Sequence, residues 1–132
     1  MSENKLVQDW LKRAKSNLEK AKAGKVTEGI LFEDLCYDCQ QAVEKSLKAL
    51  LINRNIEFPW THSISKLLEI AEQSGIYIPD EIKDSVILTD YAVETRYPGD
   101  YAPVDEDMYK EALKLAEKVV SWVEKILEAD KK

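Results

Sequence analysis

The sequence has little of what marks a disulfide-bonded, metal-binding or membrane protein. Its 132 residues include two cysteines, one histidine, four glycines and four prolines. A chain of this length buries enough surface to form one core without metals or disulfides. No apolar run approaches the ~20 residues that a membrane-spanning helix needs, and the N-terminus shows no apolar signal region. We therefore expect one cytoplasmic domain over residues 1–132, with no membrane partner.

Basic residues are outnumbered by acidic ones, 19 to 25. The net charge of −6 argues against broad electrostatic binding of nucleic acid, because phosphate contacts require clustered lysine and arginine. The charges are unevenly distributed: residues 5–25 are basic and residues 69–107 are strongly acidic. The basic segment is either a solvated helix face or a docking surface for an acidic partner or RNA.

The two cysteines, Cys36 and Cys39, form a CxxC pair. Redox pairs of this kind sit where a strand enters a helix, whereas these lie within a helical pattern. A zinc site needs about four ligands, and there is no second cysteine pair. We expect buried free thiols, no metal and no cofactor; a zinc site shared across a dimer is the remaining alternative.

Hydrophobic periodicity predicts five helices and no strands, which gives an all-α, up-and-down bundle. The predicted helices cover about residues 4–23, 31–53, 63–73, 80–94 and 105–129, and residues 58–61, which include Trp60, form a connection. The fourth helix should have Asp80 as its N-cap and an inner stripe of Ile82, Val86 and Val93, and the fifth should begin at the acidic cap of residues 105–107. The first two should be antiparallel neighbours because a short loop joins them. The fifth carries two apolar seams, so we expect it to lie in the middle of the bundle or at the interface of a homodimer.

The second predicted helix carries polar residues within an otherwise apolar sequence. Gln40, Gln41, Glu44 and Lys45 share its middle turns. Charged groups seldom stay buried without a partner, so we expect Gln41 and Glu44 to line one cleft with Arg96.

Three segments resemble the HEPN family, the higher eukaryote and prokaryote nucleotide-binding domain. They are residues 38–51, Thr61–Ile64 and Thr95–Pro98, and their order and separation also match, so the resemblance covers nearly all of the chain. It implies a HEPN-like helical bundle. Some relatives pair with an MNT-type nucleotidyltransferase as a toxin–antitoxin system, and we expect the same kind of partner here.

The resemblance also bears on catalysis. Ribonuclease members of the family carry an arginine followed, after four to six residues, by a histidine. A histidine suits proton transfer near pH 7. The guanidinium of an arginine can lie beside the negatively charged phosphorane and stabilise it. This chain has Arg96, but Tyr101 stands at the first position allowed for the histidine. Tyrosine has a pKa near 10 and is a poor general base, so we do not expect catalytic residues. A tyrosine near this motif is modified by AMP in one branch of the family.

The sole histidine, His62, lies at the entry to the third predicted helix. It is either a capping or packing group, or a ligand contact or proton shuttle. A Thr-His pair also occurs here in HEPN relatives.

These observations favour a non-catalytic HEPN module that binds a nucleotide or a nucleotidyltransferase partner. The alternatives are a divergent, metal-independent HEPN ribonuclease and a helical scaffold without a ligand. The candidate ligand-binding residues are Arg96, Tyr97, Tyr101, Gln41, Glu44, Lys45 and His62. In this interpretation Arg96 captures phosphate and a tyrosine stacks on the base; otherwise Arg96 pairs with a carboxylate such as Glu44 and anchors its loop.

Overall fold

Helices account for all regular secondary structure in the part of the chain that the computed structural model describes, residues 2–93 and 103–131. For residues 2, 3, 92 and 93 only the backbone is described. The elements are α1 (Ser2–Ala23), α2 (Phe32–Asn53), α3 (Ile64–Gln73), α4 (Asp80–Lys83), a 3-10 helix (Asp84–Thr89), α5 (Asp90–Val93) and α6 (Glu106–Asp130). The predicted all-α class is confirmed. Within these ranges no helix is long and apolar enough to cross a membrane.

Helix α1 lies antiparallel to α2, as predicted from the short connection. Its buried positions Val7, Ala14 and Ala21 are spaced seven residues apart, which keeps them on one face of the helix. Gly24 ends α1 with a φ of +71°, a conformation that glycine adopts without strain. The hydroxyl of Tyr109 donates to the Ala21 carbonyl at 2.5 Å, so α6 also holds the C-terminal end of α1.

Helix α2 is the centre of the bundle. It packs against α1, α3, α5, α6 and the 3-10 helix, and its sequence is accordingly buried on more than one side, polar residues included. This position explains why the polar residues of α2 must find partners within the protein: a buried polar group without a hydrogen bond is costly.

The prediction of a single α-helix in the fourth position is wrong. That helix is replaced by α4, the 3-10 helix and α5 in succession. Ile82, Ser85, Leu88 and Tyr91 are all buried, and their spacing of three matches a helix with about three residues per turn. Ser85 Oγ donates to the Ile82 carbonyl at 2.6 Å, which adds a local bond outside the α-helical pattern.

Two details of that segment also differ from the sequence analysis. The predicted inner residue Val86 is 37% exposed, because the threefold spacing turns it away from the core. Asp80, the predicted N-cap, is the first residue of α4, and Pro79 holds the cap position. Proline's fixed φ and missing N–H suit the start of a helix.

Helix α6 begins as predicted. Asp105 caps it, and the Asp105 side chain accepts a hydrogen bond from the Met108 N–H at 2.8 Å. Most residues of both apolar seams, including Leu115, Val119 and Val123, are buried by the chain's own helices. The double seam is therefore explained by the bundle itself, and the homodimer stays a prediction.

Candidate functional site

A buried carboxylate, Glu44, organises the polar residues of α2. Its side chain is 4% exposed. Glu44 Oε1 accepts hydrogen bonds from Gln40 Nε2 at 2.8 Å and from His62 Nδ1 at 2.9 Å. Glu44 Oε2 accepts from Lys48 Nζ at 2.8 Å. Gln41 Nε2 in turn donates to Gln40 Oε1 at 2.8 Å, so the amides form a chain of bonds that ends on the carboxylate.

The helical spacing places these residues side by side. Gln40, Glu44 and Lys48 are each four residues apart, so they stack along one face of α2. His62 reaches this face from the connection between α2 and α3. The next residue, Ser63, caps α3 by accepting a hydrogen bond from the Lys66 N–H at 3.1 Å. That cap fixes where the chain enters α3, directly after His62.

Two tryptophans enclose the Lys48 ammonium. Lys48 Nζ lies 4.6 Å from the centre of the Trp60 ring and 5.7 Å from that of Trp10. Both distances are within the range of cation–π attraction. The Lys48 side chain is only 1% exposed, whereas Trp60 is 80% exposed. We refer to Gln40, Gln41, Glu44, Lys48, Trp60 and His62 as the His62 cluster.

The environment of Glu44 keeps it ionised. Burial alone would raise the pKa of this carboxyl, but the hydrogen bonds from Lys48, His62 and Gln40 outweigh it, and the net effect is a lowered pKa. An ionised carboxylate only accepts hydrogen bonds. Glu44 is therefore a fixed negative charge at the centre of the cluster.

A second polar group lies beside the first, between α1 and α2. Asn17 Nδ2 donates to Asp38 Oδ1 at 2.9 Å, and Lys45 Nζ donates to Asn17 Oδ1 at 2.8 Å. Lys20 pairs with Asp38 at 3.1 Å. Burial lowers the pKa of Lys45, and the nearby charges of Arg13 and Lys20 act in the same direction. This part of the surface is thus a place where basic side chains converge.

Cys36 and Cys39 are free and buried, as predicted. Burial raises the pKa of the Cys36 thiol to about 12 and that of Cys39 still further above its usual range. Such thiols are unreactive at neutral pH. No group of three or more histidine, cysteine, aspartate or glutamate side chains within the described ranges is arranged to hold a metal ion.

The structure brings three of the seven predicted ligand-binding residues together: Gln41, Glu44 and His62. Lys45 belongs to the neighbouring group through Asn17. Arg96, Tyr97 and Tyr101 lie outside the described residues, so the predicted cleft between Glu44 and Arg96 stays a prediction. Glu44 already receives hydrogen bonds from three side chains and does not need Arg96 to offset its burial.

The sequence analysis missed two members of the cluster, Lys48 and Trp60. The signal for Lys48 was available, because a glutamate four residues before a lysine is a favourable helical pair. Trp60 was assigned only to a connection. Its solvent exposure follows from how the α2–α3 connection packs, and nothing local in the sequence reveals it.

Comparison with known proteins gives this arrangement a family context. The HEPN domain model matches residues 7–126. The structure of TT1696 from Thermus thermophilus superposes with a TM-score of 0.77 at 32% identity, covering 90% of this chain and 96% of that one. ST0689, an archaeal HEPN homologue, superposes with a TM-score of 0.71 at 33% identity, covering 89% of this chain and 94% of that one.

A HEPN domain protein of Thermotoga maritima (TM0613) shares the fold, with a TM-score of 0.57 at 24% identity. The match covers 97% of this chain and 98% of that one. No curated protein matches the chain. The family model spans most of the residues, and two solved structures exceed 30% identity over nearly their whole length. Together with the helical bundle and the polar α2 at its centre, these matches establish that the chain belongs to the HEPN domain family.

Proposed function

We propose that this protein is a HEPN module that binds a nucleotide at the His62 cluster. The observation that carries the proposal is the placement of Trp60: a large aromatic ring that is 80% exposed yet held against the buried Lys48 ammonium. An exposed aromatic ring fixed in position next to polar groups suits stacking on a nucleobase, because every base has a π-face.

The contacts of Trp60 leave room for such a ligand. Lys48 lies over the Trp60 ring, and His62 meets that ring edge-on, with centroids 6.0 Å apart. The high exposure of Trp60 means that most of the ring still faces solvent. A base that stacks there would come close to His62, whose side chain is 51% exposed. The cluster thus combines a stacking surface with a polar group that can recognise the ligand.

In this proposal the basic side chains beside the cluster contact the phosphate. Lys45 precedes Lys48 by less than one helical turn, a rise of about 4.5 Å along α2. The charges of Arg13 and Lys20 act on Lys45. Asp9, Asp38 and Glu44 offset part of this positive charge, so we expect a dissociation constant no tighter than about micromolar.

Calorimetric titration with AMP and ATP tests the proposal. Wild type should bind, and Trp60→Ala should weaken binding at least about fivefold, since stacking contributes about 1–3 kcal/mol per base. Tyr77→Ala is a matched control: Tyr77 is 81% exposed but follows the far end of α3. Absence of binding, or equal losses in both variants, would contradict the proposal. Arg96→Ala in the same series tests whether Arg96 contributes to the site.

A protein partner is the second candidate occupant. An exposed tryptophan beside basic side chains also suits a protein interface, where tryptophan and arginine often dominate the binding energy. The partner implied by the family resemblance is an MNT-type nucleotidyltransferase in a toxin–antitoxin system. Co-expression with a nucleotidyltransferase encoded beside this gene would test it, with Trp60→Ala expected to weaken the complex. If neither a nucleotide nor this partner binds, a ligand-free helical scaffold is the better account.

A further inference from the structure

His62 has one ring nitrogen bonded and one open. His62 Nδ1 lies 2.9 Å from Glu44 Oε1. The side chain is 51% exposed, and Nε2 has no hydrogen-bond partner among the residues that the structure describes. The difference between the two nitrogens decides what the ring can offer to a ligand.

The hydrogen-bond network determines which nitrogen carries the proton. Glu44 is an acceptor only, because its carboxyl is ionised. Gln40 and Lys48 already donate to it. The short contact with His62 Nδ1 is a hydrogen bond only if Nδ1 also carries a hydrogen and donates. In the neutral imidazole the second nitrogen, Nε2, then has no hydrogen and presents a lone pair to solvent.

We infer that His62 Nε2 is a specificity-determining acceptor, with which the site selects bases that carry an exocyclic amino group. The inference rests on the proposed nucleotide-binding function. A base stacked on Trp60 lies next to His62, so the edge of the base meets the Nε2 acceptor. Adenine has an amino donor on that kind of edge, whereas unsubstituted purine has only unprotonated ring nitrogens there, which do not donate.

Glu44 acts here as a positioning residue. It fixes the orientation of the imidazole and its tautomer without touching the ligand, in the way that carboxylates orient histidines in other sites. Lys48 and Gln40 hold Glu44 in place in turn. The acceptor at Nε2 is thus a consequence of the buried network and exists before any ligand arrives.

The first test needs no ligand. Because His62 is the sole histidine, long-range proton–nitrogen NMR of the labelled protein reports its two ring nitrogens without ambiguity. We expect the neutral ring to show a protonated Nδ1 and a bare Nε2. A neutral ring with the proton on Nε2 would overturn the inference.

The second test compares two nucleotides that differ only in the amino group, AMP and purine riboside 5′-monophosphate. Wild type should bind AMP roughly 5- to 10-fold more tightly, the effect of about one neutral hydrogen bond. His62→Phe keeps a ring at this position but removes the acceptor, so the preference should disappear. Circular dichroism and thermal unfolding of the variant check that it is folded.

The outcomes separate this inference from the proposed function. If wild type binds neither nucleotide, nucleotide binding itself is wrong and the inference fails with it. If wild type binds both equally, or if His62→Phe retains the preference for AMP, nucleotide binding stands and the role of His62 is wrong.

Discussion

Lys48 Nζ lies 2.8 Å from Glu44 Oε2, and the two side chains are only 1% and 4% exposed. The pair is one helical turn apart on α2 and sits where the polar cluster meets the hydrophobic core. Removing two charges from water costs several kcal/mol per ion. The structure offsets this cost with three hydrogen-bond donors on Glu44 and two tryptophan rings around Lys48.

Removal of one member of this pair should strongly destabilise the fold. Glu44→Ala leaves the Lys48 ammonium buried without a counter-charge, and we expect the free energy of unfolding to fall by roughly 3–5 kcal/mol. Urea unfolding followed by circular dichroism measures it. Glu19→Ala is a control, because Glu19 pairs with Lys22 at the exposed surface, where an ion pair contributes about 0–1 kcal/mol.

Removal of both members should cost much less. In the double variant Glu44→Leu with Lys48→Met, apolar side chains fill the space and no charge remains buried, an exchange that is often close to neutral. We expect its free energy of unfolding to lie well above that of Glu44→Ala. If the double variant is as unstable as the single one, the buried charge is not the cause of the loss.

Acid should weaken the fold through the same carboxylate. The pKa of Glu44 is lowered from 4.5 in the folded protein, so the unfolded chain takes up a proton first as the pH falls. The stabilisation by Glu44 is fully present above about pH 4.5 and is lost as the pH falls through the lower folded-state pKa. Glu44→Gln, which does not titrate, should show a shallower loss of stability below that pH in urea unfolding. Parallel curves for the two proteins would contradict the assignment.

Periodic patterns in the sequence were enough to predict the long helices. The ends of α1, α3 and α6 were predicted to within about two residues, because Gly24, Ser63 and Asp105 are end signals with a local physical cause. The segment after Pro79 was predicted less well. Whether it forms α-helix or 3-10 helix depends on packing against α6, which a local pattern does not contain.

The site was predicted only in part for a similar reason. Glu44 and Gln41 stood out because they are polar residues in an apolar helix. The contact between His62 and Glu44 joins residues eighteen positions apart, so it depends on how the α2–α3 connection folds back. No residue close to His62 in the sequence indicates its partner, and the tertiary structure supplies Glu44.

Alkaline conditions should destabilise the protein through its buried thiols. Burial raises the pKa of Cys36 from 9.0 to about 12, and burial together with Cys36 raises that of Tyr91 from 10.0 to about 12. The folded protein therefore keeps these protons after the unfolded chain has lost them, and stability falls as the pH rises above 9. Cys36→Ala with Cys39→Ala should reduce this fall in urea unfolding between pH 9 and 11. An unchanged slope would show that other groups dominate.

A homodimer remains our expectation for the quaternary structure. The seams of α6 no longer support it, but Leu6 and Leu31 are large apolar residues that the described part of the chain leaves exposed. Light scattering at micromolar concentration should give about twice the chain mass of 15.1 kDa. A single species at the chain mass would refute the dimer. Leu6→Ala and Leu31→Ala, measured separately, would show which exposed residue lies at the interface.

The purified protein should not cleave RNA. Cleavage near neutral pH requires a group that exchanges protons there, and after Arg96 the sequence offers Tyr101 in place of a histidine. His62 has an open ring nitrogen, but its other contacts belong to a cluster centred on the buried Glu44–Lys48 ion pair, in which the Lys48 ammonium is already paired and does not stabilise a phosphorane. A panel of single-stranded RNAs, incubated with wild type, Arg96→Ala and His62→Phe, measures this. Cleavage that both variants abolish would assign a ribonuclease site to Arg96 and His62. Cleavage that survives in both would indicate a contaminant.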